Sequence, residues 1–315
     1  MLGTATTSSE RRFAILMLTL ATVFWGMGFV WAKNVGEATN HAAGVPNGSA
    51  LGPVLMLSIR FLVASVVWLA IFPRARRGWS VKTFLCGVPI GVVLCVALVC
   101  QHLGLDRTTE AVAAFLTNLT VVLVPILVAV ISLKRPAANL IVACAVALGG
   151  IYLLTGAKTA GVEVGGMDLG EIFVLLSAVG FSVEIVLLGW LMPKDDAARV
   201  TVVIFAICGL ACGGLAMFLP GFGNLTATAL FTPKLVWELG LLTVLCTLVA
   251  FGLMSHYQYR IDPTRAAIVY LFEPIVAAAF AWAIEPDAGM TGIQIAGAGL
   301  ILLANVVAEL KWRGP

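Results

Sequence analysis

Three ionisable residues stand inside otherwise apolar runs: Arg60, Glu184 and Glu273. Holding a charged side chain at mid-bilayer costs about 2.5–3.5 kcal/mol on insertion scales, so each is expected to have a partner or a task. Two readings are open. The three could pair with one another and lock a helix bundle. Alternatively they could charge a central cavity, where Arg60 attracts a carboxylate and Glu184 receives an amine or a proton. Glu273 directly precedes Pro274. Proline has no N–H and disturbs the carbonyl four residues earlier, here Tyr270, which predicts a polar interruption beside the carboxylate. Pro125 does the same near Val121, and Pro89 lies in another apolar run. Asn118 and Trp25 complete the candidate set. In Phe24-Trp25-Gly26-Met27-Gly28 the glycines are expected to leave room for the ring to turn into a cavity, although core or lipid packing fits as well.

Polar residues also close two of the apolar runs. Gln101 and His102 end one of them; His256, Tyr257, Gln258 and Tyr259 end another. Such positions are expected to be interfacial anchors ahead of gates. Metal and nucleophile signatures do not occur. There is no DDxxD, HExxH or GxSxG, and the three histidines, His41, His102 and His256, are scattered. The seven cysteines all fall in apolar stretches without CxxC or zinc-ligand spacing, so they read as small packing residues. No cofactor, no metal and no enzymatic activity are expected. An intramembrane enzyme acting on lipid-linked substrates is the alternative, and it lacks a motif. The expected partners are a small-molecule substrate and the lipid bilayer.

The elements that hold these residues follow from composition. The chain is 61% hydrophobic and 11% charged, with a mean hydropathy of +1.04. No water-soluble domain has that balance. Apolar runs bounded by charge, Gly or Pro predict an all-α integral membrane protein of ten transmembrane helices, at 12–32, 51–72, 83–103, 109–133, 137–155, 169–191, 199–219, 236–257, 264–284 and 291–309. Each can cross about 30 Å of hydrocarbon. Arg11-Arg12 before the first run imitates a secretory signal, but the run is too long for one and ends without a convincing cleavage site. The net charge of +3 arises from Lys and Arg in short loops, which does not suggest nucleic-acid binding. With the N-terminus in the cytoplasm, 14 of the 19 Lys and Arg fall on the cytoplasmic side and 4 outside (Lys33, Arg107, Lys158 and Lys234), with Arg60 within a span. Both termini are therefore expected in the cytoplasm.

The two halves align at a constant shift of about 155 residues, which defines five-helix repeats at 12–155 and 169–309. Thr108 to Leu116 faces Pro263 to Leu271, with Thr, Ala, Leu and an aromatic recurring. Asn118 falls opposite Glu273 and Gln101 opposite His256. Because five is odd, the repeats must be inverted in the membrane, an arrangement that places substrate sites near the midplane. Gly87-xxx-Gly91, Gly209-xxx-Gly213 and the Gly297/Gly299 pair are expected to let helices pack closely.

The run Ala21-Thr22-Val23-Phe24-Trp25-Gly26-Met27-Gly28-Phe29 resembles the opening helix of EamA-type proteins of the drug/metabolite transporter superfamily. Pro53 with Arg60-Phe61 is similar to that family's second helix. Pro263-Thr264-Arg265-Ala266-Ala267 leading to Phe272-Glu273-Pro274, preceded by Thr247 and Gln258, is the strongest likeness. The resemblance covers roughly 12–309. It implies a ten-helix inner-membrane carrier or exporter of amino acids or related metabolites, working by alternating access around a central cavity. Departures are visible. The family's Gly-Glu after the fourth helix is replaced around Lys134, and Glu285 comes about two residues early in the second copy. Glu184 stands where the family often has a neutral polar or aromatic residue. The expected cavity lining is Trp25, Arg60, Asn118, Glu184, Tyr270 and Glu273. Oligomeric state is open.

Overall fold

The computed structural model describes residues 8–107, 113, 116–133, 137–156, 168–226, 232–284 and 291–309. Among them the regular structure is helical throughout. In chain order the helices are α1 (Ser8–Ala42), α2 (Leu51–Ile71), α3 (Val81–Leu105), α4 (Thr120–Ser132), α5 (Ala138–Gly156), α6 (Leu169–Leu191) and α7 (Ala197–Ala216). Then come α8 (Pro233–Leu241), a π-helical segment (Leu242–Val249), α9 (Ala250–Tyr257), α10 (Pro263–Tyr270), α11 (Phe272–Ile284) and α12 (Gly292–Glu309). Among the described residues six helical stretches are long and apolar enough to cross a membrane, and α4, α5 and α12 contribute shorter apolar helices.

Local chemistry explains where the helices begin. Ser80 accepts the N–H of Thr83 at the start of α3. Asp168 and Glu171 form a reciprocal capping box on α6. Asp196 and Asp262 cap α7 and α10. At the cytoplasmic end so predicted, Asp195 accepts from Arg199 and from the Thr83 hydroxyl, tying the α6–α7 turn to α3. Burial works to raise the Asp195 carboxyl, but the hydrogen bonds from Arg199, Thr83 and the Asp196 N–H outweigh it and bring it down to about 2.

Several spans differ from the sequence expectation in extent or continuity. α1 continues ten residues past the predicted end at 32, because its polar extension finds partners. Asn34 donates to Glu238, and Asn40 accepts the Gly52 N–H at 2.7 Å while donating to the Ser49 carbonyl. The predicted span 236–257 is one rod whose middle widens into the π segment. The predicted span 264–284 is broken at Leu271, between α10 and α11, which agrees with the disturbance expected from Pro274. In the first half the corresponding break is at Asn118-Leu119, just before α4, rather than at Val121. The expected start of that span at 109 lies outside the described residues.

Packing relations between the halves recur with the halves exchanged. α3 lies along α6 as α1 lies along α8, the π segment and α9; α4 meets α6 as α1 meets α11. α2 pairs with α7, α5 with α12, and α4 with α10. The expected small-residue contacts are present on α3 and α7. A Cβ on Gly87 would lie 2.6 Å from Val203, and one on Gly209 would lie 2.8 Å from the Leu62 backbone nitrogen. Gly299 does not take part, since a Cβ there meets nothing within 4 Å; α5 and α12 approach instead at Gly150. Outward faces carry Val66, Leu85, Val96, Leu210 and Leu303, all exposed. Apolar side chains on both the inner and outer faces are the arrangement of a helix bundle solvated by lipid.

Candidate functional site

A cavity enclosing about 860 Å³, its opening included, lies between the two halves of the chain. Trp25, Arg60, Asn118, Glu184, Tyr270 and Glu273 all line it. They arrive from α1, α2, the turn before α4, α6, the end of α10 and the first turn of α11. Sequence separation is therefore overcome by the packing of helix breaks against continuous helices.

Arg60 is buried, and its Nε donates to the Thr247 hydroxyl at 3.2 Å. Neither Glu184 nor Glu273 forms a hydrogen bond or ion pair among the described residues. The bundle-locking ion pair left open by the sequence is thus not made. Arg60 is held by the π segment instead, and its remaining guanidinium nitrogens have no acceptor among the described residues. Tyr270 lies within electrostatic reach of both glutamates. Its hydroxyl donates to Gln258 Oε1 at 2.6 Å, and Gln258 Nε2 donates to the Ile185 carbonyl at 2.8 Å. That chain fixes the end of α10 to α6 one residue from Glu184.

The π segment organises the other wall. Its wider turn lets Thr247 donate to the Leu242 carbonyl, five residues back, while the same hydroxyl accepts from Arg60. The Cys246 carbonyl accepts the Trp25 indole N–H at 3.1 Å, and the Cys246 thiol donates to the Phe24 carbonyl. π segments of this kind recur at functional sites because they free backbone and side-chain groups from the α-helical ladder. Trp25 stacks obliquely on Phe251 with ring centroids 5.0 Å apart and meets Tyr270 edge-on at 5.5 Å. Its flanking glycines do something other than expected. A Cβ on Gly26 would lie 2.7 Å from the Glu273 carbonyl, and one on Gly28 would lie 2.7 Å from Cys246 Sγ. They bring α1 against α11 and the π segment rather than leaving space for the ring.

Gln101 and His102, expected as interfacial anchors, are buried and line the cavity. α3 runs on to Leu105, so both sit inside the helix against α6. His102 Nδ1 lies 2.8 Å from the Leu98 carbonyl, which can only accept; Nδ1 therefore carries the hydrogen and Nε2 is left as an acceptor. Gln258 is likewise buried rather than interfacial. His256, Tyr257 and Tyr259 do stay at the helix end, with Arg260 against both tyrosine rings. Thr117, next to Asn118, has a buried hydroxyl with no hydrogen-bond partner among the described residues and also lines the cavity. Thr247 was visible in the sequence only through the family resemblance, since nothing in its neighbours announces a π turn.

The model of the EamA-like transporter family matches residues 12–156 and again 168–308, one copy on each side of the cavity. The chain belongs to the EamA-like transporter family. A curated protein described as an uncharacterized transporter, from Archaeoglobus fulgidus (strain ATCC 49558 / DSM 4304 / JCM 9628 / NBRC 100126 / VC-16), is 25% identical over 96% of this chain and 87% of its own length. A crystal structure of a further protein shares the fold with a TM-score of 0.66, at 16% identity, over 95% of this chain and 97% of that one. As an EamA-like protein of the drug/metabolite transporter superfamily, the chain is a multi-pass membrane transporter. The family gives no support to the alternative of an intramembrane enzyme.

Proposed function

We propose that this EamA-like chain exports small zwitterionic metabolites such as amino acids. In this reading it crosses the inner membrane ten times, as two inverted five-helix repeats at 12–155 and 169–309, and works by alternating access. Both termini are cytoplasmic. The breaks at Asn118-Leu119 and Leu271 allow α4, α10 and α11 to complete two spans as broken helices, a feature of transporter cores.

The observation that carries the substrate class is the set of charges in the cavity. One guanidinium and two carboxylates face the same apolar, aromatic-walled space without neutralising one another. Arg60 supplies donors to a substrate carboxylate, and Glu184 and Glu273 accept from its amine. Trp25, Phe251 and Tyr270 enclose an apolar body. A substrate that completes those unmade contacts gains hydrogen bonds and charge pairs that the side chains do not make with one another, which is the basis of selective binding.

The test is transport of radiolabelled amino acids by proteoliposomes. Glu184→Gln and Glu273→Gln are each expected to weaken transport at least about tenfold, equivalent to about 1.4 kcal/mol. Arg60→Ala should act most strongly on substrates that bear a carboxylate. Undiminished amino-acid transport by the double glutamine variant would overturn the amine role.

A further inference from the structure

A second group of side chains with coordinating atoms lies away from the cavity, between α3 and α7. Cys95 on α3 and Cys208 and Cys212 on α7 bring their sulfurs within 4.8 Å of one another. Cys95 Sγ is 3.5 Å from Cys212 Sγ and also points at the Cys208 carbonyl, 3.9 Å away. Cys208 and Cys212 are one helical turn apart, so both project toward the same facing helix. All three are buried; Cys95 is 8% exposed and the other two 1% or less. The sequence spacing hid this group, since 113 residues separate Cys95 from Cys208.

We propose that Cys95, Cys208 and Cys212 form a binding site for one soft monovalent d10 cation, of which Cu(I) is the biological example. Thiol ligands select soft ions. Three sulfurs placed about 2.3 Å from a central ion lie about 4 Å apart, which the observed separations span. Among the described residues no fourth His, Cys, Asp or Glu joins the group. That argues against structural zinc, which takes four ligands in a tetrahedron, and suits an ion satisfied by two or three sulfurs. A monovalent ion held by two thiolates and one thiol leaves a single negative charge on the group. On binding, two S–H protons leave to solvent as S–Cu bonds form, and no electron is transferred.

The site is built on rigid elements. A Cβ on Gly91 would lie 3.0 Å from Ile207 Cβ, so α3 and α7 are already in contact one turn from the thiols. Cys95 is the most exposed of the three cysteines.

The experiment uses the reduced, detergent-purified full chain under argon, with Cu(I) supplied as its bicinchoninate complex. Wild type is expected to withdraw one equivalent of Cu(I) from the chelator, read from the loss of the complex's absorbance. Cys208→Ala should bind at least about tenfold more weakly, while Cys100→Ala, outside the group, should bind as wild type does. Equal withdrawal by wild type and Cys208→Ala overturns the proposal, as does no withdrawal by wild type. A second measurement on wild type needs no variant to fold. Cu(I) should shield Cys95, the most exposed of the three, from N-ethylmaleimide, as read by peptide mass mapping. Shielding that falls on Cys86, Cys100 or Cys144 instead would overturn it. Neither readout depends on transport.

Discussion

Among the described residues the guanidinium of Arg60 is held through Nε, by a hydroxyl that is itself aimed by the π turn. In the transport reading proposed above, Thr247 is therefore a positioning residue, acting on substrate through Arg60. Thr247→Val removes the acceptor at nearly constant volume, and is predicted to raise KM for carboxylate-bearing substrates about three- to tenfold, a loss of about 0.5–1.5 kcal/mol. Thr247→Ser keeps the oxygen and should restore most of the affinity. Equal kinetics for the two variants would show that the hydroxyl does not aim Arg60. The three ionisable members of the site were legible in the sequence because any charge stands out in an apolar run. Thr247, Gln101 and Gln258 were not, since a neutral polar residue fits an interface, a helix ladder or a cavity equally well.

At the scale of the element, the α6–α7 turn shows how a short loop is locked. Asp195 gathers hydrogen bonds from Arg199, Thr83 and the Asp196 N–H, and its carboxyl is brought down to about 2 from 3.8. A group depressed in the folded state stabilises it above the unfolded value, and that contribution is lost as pH falls through the folded value. Asp195→Asn is thus predicted to lower stability in detergent by about 1–3 kcal/mol at neutral pH. The gap between variant and wild type should narrow from pH 4 toward pH 2, as read by thermal unfolding. A gap that stays constant over that window would contradict the pairing. A different element-level prediction concerns Pro274. Pro274→Ala restores an N–H and relieves the clash at Tyr270, which favours a continuous helix through Leu271. Transport should fall while expression and thermal stability hold or rise; unchanged transport would mean that the break is dispensable. The helices themselves were readable from apolar runs. Their true lengths were not, because α1 owes its last ten residues to partners on other helices.

For the molecule as a whole, the contact between α2 and α7 joins the two halves through small residues. Ser58 donates to the Gly209 carbonyl, and Gly213 packs against the same serine. Gly209→Val must push α7 away from Leu62 and is predicted to cost about 1–3 kcal/mol by overpacking. The measurement is the detergent-denaturation midpoint. Gly214→Val on the open side of α7, where a Cβ meets nothing within 4 Å, serves as the control. If both variants unfold alike, the close approach carries no weight. The repeat, matched by the family model in two copies, was legible at this scale because the order of apolar runs recurs at a constant shift. The three-thiol group was invisible, since it depends on two helices from opposite halves coming to one height.

The side chain of Asn40 reaches from the end of α1 to cap the start of α2, accepting from Gly52 and donating to Ser49. At 35 residues α1 is about 52 Å long, well beyond the apolar thickness it crosses. Asn40 thus ties the far end of this long helix to the start of α2. Trp25 lies on α1 and Arg60 on α2, whereas Glu184 lies on α6 across the cavity. In the export reading proposed above, a tilt of α1 against α6 changes the span from Trp25 to the Glu184 carboxylate, so the fit of a substrate between them follows that angle.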